Sequence, residues 1–218
     1  MDPPCLVAPA PRCSNAWRVE IAQLLEEHHL VAWAHSARER LTFGADLATY
    51  LTSMADTEVC RLDGKYITDL ESFVHQLQRV VHGPVMRLEI DGPRGVVAQL
   101  RRRDLAGPPG RALKRRYYIW QDADMLLRKD HRLFGKLVDA LLGVAAEAEY
   151  ASEDLLLIHR AVFVGAPSLD MYAEDNRGQF ASWATEAGEE ALWEVISGVE
   201  RPPVLRFKID RELCGSPE

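Results

Sequence analysis

The clearest candidates for chemistry are two aspartates that follow a run of bulky hydrophobic residues. Asp122 and Asp124 come directly after YYIW, residues 117–120, a run that is typical of a buried strand in a parallel sheet. In open parallel sheets, ligands bind at the carboxyl ends of the strands, where the N-termini of helices also converge. The two carboxylates are therefore placed to hold a cation or a water molecule, and we take them as candidate metal ligands.

A second candidate site follows an earlier predicted strand, residues 58–62. Gly64 and Lys65 supply the Gly-Lys pair of a phosphate-binding loop, and Thr68 is the hydroxyl residue that follows them. A complete loop has the pattern G-x-x-x-x-G-K-[ST], in which backbone amides wrap the phosphates and the lysine reaches them. Here Val59 stands where the first glycine belongs and Tyr66 stands where the hydroxyl residue belongs. The sequence therefore predicts a degenerate phosphate-binding loop.

The acidic segment resembles a known family motif. YYIWQDADMLLRKD is similar to the second acidic motif of P-loop NTPases of the AAA or STAND type, and the helix HRLFGKLVDALLGV resembles the continuation in those proteins. The resemblance covers residues 58–165. It implies a nucleotide-binding-type regulatory domain that takes Mg-ATP or Mg-GTP, with Gly64, Lys65 and Thr68 at the phosphates and Asp122 and Asp124 at the metal. The degenerate loop argues against hydrolysis.

The order of the predicted elements supports a different hypothesis. A strand, the helix DLESFVHQLQRVV, a short helix, the strand YYIW, a long helix and a final strand also resemble the layout of barstar-type inhibitors. This resemblance implies a non-enzymatic protein-interaction module, an inhibitor or adaptor, with a protein partner. Such a binder uses an acidic surface to occupy a basic site, and the C-terminal third of the chain is acidic. Both hypotheses stay open at this point.

Charge and residue counts restrict the other classes of function. The 218 residues carry a formal net charge of −7, which disfavours a general nucleic-acid coat protein. One local basic stretch could contact phosphate backbones, although a solvated loop beside a buried strand is the favoured interpretation. Its cations are Arg101, Arg102, Arg103, Arg111, Lys114, Arg115 and Arg116.

The remaining reactive residue types form no site pattern. The four cysteines are scattered and the seven histidines lack ligand spacing, so no metal centre built from Cys or His and no nucleophilic cysteine is predicted. The N-terminus lacks the features of a signal peptide, and apolar runs stay well short of the roughly 18 residues of a membrane span. We therefore expect a cytoplasmic protein with reduced thiols and no membrane contact.

Short β-rich runs that alternate with helical ones predict how these residues are positioned. The expected fold is a three-layer α/β domain with a mostly parallel central sheet, an N-terminal helical appendage and an acidic C-terminal extension. Strands are predicted at 58–62, 85–90, 116–120, 155–165 and, at an edge of the sheet, 203–209. The predicted regions are a disordered tail at 1–14, the appendage at 15–56, the α/β core at 57–166 and the extension, packed on the core, at 167–218.

Overall fold

Strands and helices alternate along the chain and build a parallel sheet with helices on both faces. A computed structural model describes residues 16–80, 115–151, 158–175 and 204–209. Within these ranges the predicted three-layer α/β class is confirmed. In chain order the elements are α1 Ala16–Glu27, β1 His29–Trp33, α2 Ala37–Ser53, β2 Thr57–Asp63, a 3₁₀ turn Gly64–Tyr66, α3 Leu70–Val80, β3 Arg115–Gln121, α4 Asp124–Lys129, α5 His131–Ala151, β4 Ile158–Gly165, α6 Pro167–Asp175 and β5 Val204–Lys208.

The five strands lie in the order β2-β3-β4-β1-β5, and every neighbouring pair is parallel. Parallel pairing means that every strand ends at the same edge of the sheet, which we call the carboxyl rim. After β1 the chain continues to β2, at one edge of the sheet, and after β4 the next strand is β5, at the other edge. The chain therefore leaves these two neighbouring strands in opposite directions. In sheets of this type, the crevice between two such strands is the usual place for a ligand.

Alternate residues of β3 show how the two faces of the sheet are filled. Tyr117 and Ile119 pack into a core with α1 and α2, whereas Tyr118 and Trp120 pack into a second core with α3, α5 and α6. All four side chains are buried. A strand covered on both faces has no polar position, and this explains why the run YYIW is continuously apolar.

The structure differs from the sequence analysis between residues 15 and 56, which were assigned to a helical appendage. His29–Trp33 form strand β1, which lies between β4 and β5 inside the sheet. Leu30 is the register partner of Val162 on one side and of Leu205 on the other. The run HLVAW has five residues between two helices, and so short an apolar segment does not distinguish a strand from a helix by its periodicity.

Several other predictions are confirmed. The strand predicted at 116–120 is β3, and the helix predicted over HRLFGKLVDALLGV is α5, whose Leu133 amide donates a hydrogen bond to the Asp130 carboxylate at 2.9 Å. The last strand is β5, at an edge of the sheet as predicted. It belongs to the same sheet as β1, although the two lie in the regions predicted as extension and appendage.

Other predictions lie outside the described residues. They include the tail at 1–14, the strand at 85–90, the loop between the two basic clusters and most of the acidic extension. Within the described ranges, no helix combines the length and the apolar character that a membrane span needs.

Candidate functional site

The turns after β2 and β3 pack against each other at the carboxyl rim. Asp63 and Gln121, the last residues of the two strands, are register partners. A Cβ on Gly64 would overlap the backbone carbonyl of Asp122, so only glycine fits there. Asp122 has a φ of 50°, in the left-handed region that aspartate adopts more readily than most residues. The structure thus places the Gly64 turn and Asp122 side by side.

The carboxylate of Asp122 lies between two cations. Lys65 Nζ is 3.1 Å from Oδ2, and Arg40 Nε is 3.6 Å from Oδ1. The Asp122 side chain is 10% exposed, whereas that of Lys65 is 52% exposed. The hydrogen bond to Asp122, together with the charge of this carboxylate, raises the pKa of Lys65. Both oxygens of Asp122 therefore face cationic side chains of the same chain.

Arg40, which the sequence analysis did not identify, joins this site from α2. Its Nη1 donates hydrogen bonds to the carbonyl oxygens of Ala34 at 2.9 Å and His35 at 3.1 Å. These carbonyls belong to the loop 34–36, which connects β1 to α2. Recognition of β1 as a strand would have placed the first turns of α2, and Arg40 with them, at the carboxyl rim.

The loop 34–36 does not have the form of a phosphate-binding loop. It contains no glycine and is shorter than the G-x-x-x-x-G-K-[ST] pattern requires. At the N-terminus of α2, the Ser36 hydroxyl accepts a hydrogen bond from the amide of Glu39 at 3.4 Å. The negative charge of Glu39 in the first turn also opposes a phosphate at this helix end.

Asp124 is fully buried and forms a second, separate set of contacts. Its Oδ1 accepts a hydrogen bond from the backbone amide of Ala166 at 3.1 Å, and its Oδ2 is 3.0 Å from an Nη of Arg128. The carboxylate therefore connects the start of α4 to the residue after β4. Mg²⁺ needs oxygen ligands that are free to approach it, and an ion at this site would have to compete with Arg128.

Thr68 donates its hydrogen bonds to residues at the start of α3 and not to Asp122 or Asp124. Its hydroxyl donates to Asp69 Oδ2 at 3.0 Å, and its amide donates to Ser72 Oγ at 2.9 Å. The structure thus brings Gly64 and Lys65 to Asp122, while Thr68 donates hydrogen bonds to Asp69 and Ser72, the residues that cap α3.

Two members of the predicted basic stretch lie within the described residues, at the amino end of β3. Arg115 Nε is 2.6 Å from Glu26, and Arg116 Nε is 2.5 Å from Glu58. The side chain of Arg116 is buried. These two guanidinium groups are therefore paired with carboxylates, and the other cations of the stretch lie outside the described residues.

No metal centre or reactive thiol emerges from the described part of the chain. In that part, no group of three or more His, Cys, Asp or Glu side chains is arranged to hold a metal ion. Cys60 is fully buried, and this burial raises the pKa of its thiol to about 12. The thiol is therefore protonated at neutral pH and has little nucleophilic character.

Comparisons with known proteins give limited similarity. No protein-family model matches the sequence, and no curated protein matches it. Among solved structures, the chain is similar to one in the structure of Drosophila ORC bound to AT-rich DNA and Cdc6, with a TM-score of 0.48, 11% identity and 89% of this chain covered. A chain of Drosophila ORC bound to DNA gives a TM-score of 0.48, 13% identity and 90% coverage. This chain spans 28% and 54% of the length of those two chains.

Proposed function

We propose that this chain is a non-enzymatic protein-interaction module built on a nucleotide-binding-type parallel α/β sheet. The observation that carries the proposal is the neutralised carboxyl rim, where Arg40 and Lys65 face the two oxygens of Asp122. A site for a Mg-nucleotide needs carboxylate oxygens that are available to the metal and backbone amides that are available to the phosphates. In the described part of the rim, both oxygens of Asp122 face cations, and the loop 34–36 lacks the form of a phosphate-binding loop.

Backbone hydrogen bonds also continue past the strand ends at this rim, on both sides of β4. The amide of Ala34, after β1, donates to the carbonyl of Gly165 at 3.2 Å. The amide of Ala123, after β3, donates to the carbonyl of Val164 at 2.9 Å. These bonds join the ends of three strands directly, at the place where sheets of this type usually hold a ligand. The described strand ends are therefore held in fixed positions relative to one another, as a rigid binding surface requires.

Apolar side chains on the segments that begin at this rim support a surface for a partner. Leu41 on α2, Tyr66 in the 3₁₀ turn and Met125 on α4 are large apolar residues that remain exposed. Aromatic residues, methionine and arginine are enriched in protein interfaces. Exposed side chains of these types around a neutralised ionic centre are therefore consistent with an interaction surface.

Thermal unfolding with nucleotide tests this proposal. We expect the stability of the chain to be unchanged by millimolar Mg-ATP or Mg-GTP, because Lys65 and Arg40 already occupy the Asp122 carboxylate. The control is Asp122→Ala, measured in the same way with and without nucleotide. Should either nucleotide stabilise the wild-type chain by about 1–3 kcal/mol, and Asp122→Ala abolish this effect, the proposal is wrong.

The second candidate function is regulatory binding of Mg-ATP or Mg-GTP at the same rim, without hydrolysis. The observation that favours it is the half-exposed Lys65, whose ammonium lies beside Asp122 and could turn toward a phosphate. The aspartate would then be released to a metal ion. The nucleotide experiment separates the two candidates, because only the second predicts stabilisation that depends on Asp122.

A further inference from the structure

A groove of about 830 Å³ lies between the edge strand β2 and helix α3, beside the carboxyl rim. Its lining includes Asp63, Tyr66, Asp69, Glu71 and Gln76. We propose that this groove binds an extended, arginine- or lysine-bearing segment of a protein partner. The inference rests on the proposed interaction function and names the chemistry of the partner.

The described residues that line the groove carry more negative than positive charge. Among them, Asp63, Asp69 and Glu71 contribute three carboxylates, and Arg61 is the one Arg or Lys residue. Hydrogen bonds from the amide and hydroxyl of Ser72 lower the pKa of Asp69, and the positive charge of Lys129 acts in the same direction. The Asp69 carboxylate is therefore ionised at neutral pH. A segment with several cationic side chains complements this lining.

Tyr66 supplies an aromatic surface at the rim end of the groove. Its side chain is 70% exposed, more than any other large hydrophobic residue in the described ranges. The face of a tyrosine ring attracts a guanidinium or ammonium group, and an exposed aromatic residue gains the most when a partner covers it. One cation of the partner segment would lie over this ring while others face the carboxylates.

The edge of β2 indicates how the segment would be recognised. The Gln76 side chain accepts a hydrogen bond from the amide of Asp63 at 2.7 Å and donates one to the carbonyl of Asp63 at 3.0 Å. The side-chain amide of Gln76 therefore uses the backbone N–H and C=O of Asp63, to which an added strand would have to hydrogen-bond. The segment is therefore held by side-chain contacts and charge at this end of the groove rather than by extending the sheet.

Fluorescence anisotropy with the full chain tests the inference. The probe is a labelled peptide of alternating arginine and serine, and the reference probe is a labelled peptide of alternating glutamate and serine. We expect the arginine peptide alone to bind, and we expect Tyr66→Ala and Glu71→Gln each to weaken its binding by about fivefold or more. Added salt should weaken the binding as well, because Asp69 and Glu71 are exposed.

Glu20→Gln is the matched control, because it removes the same charge from an exposed position on α1. It should bind the arginine peptide as the wild-type chain does. Three results would overturn the inference: equal binding of the two peptides, no binding of the arginine peptide, or the same loss in Glu20→Gln as in Glu71→Gln. The last result would indicate attraction to the overall negative charge of the chain.

The peptide experiment and the nucleotide experiment can give negative results independently of each other. It changes Tyr66 and Glu71, whereas the nucleotide experiment changes Asp122. If the chain binds neither peptide and its stability does not change with nucleotides, the proposed interaction function stands and the proposed cationic partner segment is wrong. If Mg-nucleotide stabilises the chain and Asp122→Ala abolishes the effect, the proposed interaction function is wrong, whether or not the peptides bind.

Discussion

At the scale of single residues, the rim depends on one glycine and one aspartate. Gly64 allows the turn after β2 to approach the backbone of Asp122, and the approach brings Lys65 within 3.1 Å of the Asp122 carboxylate. The left-handed backbone of Asp122 turns the chain from β3 toward α4. The close packing of the two turns therefore positions the ammonium of Lys65 beside the carboxylate of Asp122.

Gly64→Ala should therefore destabilise the chain by about 1–3 kcal/mol, because its Cβ would collide with backbone atoms that have no alternative position. Gly44→Ala is the matched control. Its Cβ would meet the end of the Gln121 side chain, which can rotate away, and alanine favours the helix. Denaturant unfolding measures both free energies. An equal loss of stability in the two variants would contradict the close backbone packing at Gly64.

The sequence predicted part of this site for a physical reason. Gly64, Lys65 and Asp122 could be placed near one another because each follows a strand, and parallel strands end at one edge. The sequence could not show that Arg40 would join them. Its position depends on β1, which has only five residues and lies between helices. The hydrogen bonds of Thr68 to α3 depend on side-chain geometry that spacing along the chain does not show.

At the scale of elements, helix ends were predictable to within a residue where a side chain caps them. Asp130, which directly precedes the run HRLFGKLVDALLGV, caps α5. Thr68 and Glu71 have the spacing of a capping box before α3, but the cap is formed by Asp69 and Ser72, each of which accepts a hydrogen bond from the amide of the other. Neighbouring polar residues compete for such a role, and local geometry decides which one caps the helix.

Strand β4 carries a buried histidine that should make stability depend on pH. Burial lowers the pKa of His159 well below its usual range, and the nearby charges of Arg116, Arg160 and His29 act in the same direction. The hydroxyl of Tyr118 lies 3.5 Å from its Nδ1. The folded chain therefore holds the neutral imidazole, whereas the unfolded chain takes up a proton below a pH of about 6.5.

Because the folded pKa is depressed, the stability contributed by neutral His159 is complete above a pH of about 6.5 and decreases as the pH falls below it. The decrease is at most about 1.4 kcal/mol per pH unit for one such group. His159→Leu should flatten this part of the curve of unfolding free energy against pH. His131→Gln, at an exposed position, is the control and should leave the slope unchanged. Equal slopes in wild type and His159→Leu would contradict a neutral buried histidine.

At the scale of the whole molecule, the sheet joins segments that are far apart in the sequence. Strand β1 near one end of the chain pairs with β5 near the other, and β4 lies on its opposite side. The sequence predicted the α/β class because strands and helices alternate. It could not supply the strand order, because pairing between distant strands depends on contacts that no local pattern records. For the same reason it placed 15–56 outside the sheet.

Phe207 shows how far the edge strand contributes to this assembly. Its ring packs against Phe43 of α2 with the centroids 5.8 Å apart, and Phe43 stacks on Trp17 of α1 at 5.3 Å. Phe207→Ala should cost about 3 kcal/mol, as a core substitution does, even though β5 lies at the edge of the sheet. Met171→Ala, at a residue on α6 that is largely exposed, should cost much less. Unfolding in denaturant measures both variants, and a loss in Phe207→Ala no larger than that in Met171→Ala would mean that β5 is not an integral strand of the domain.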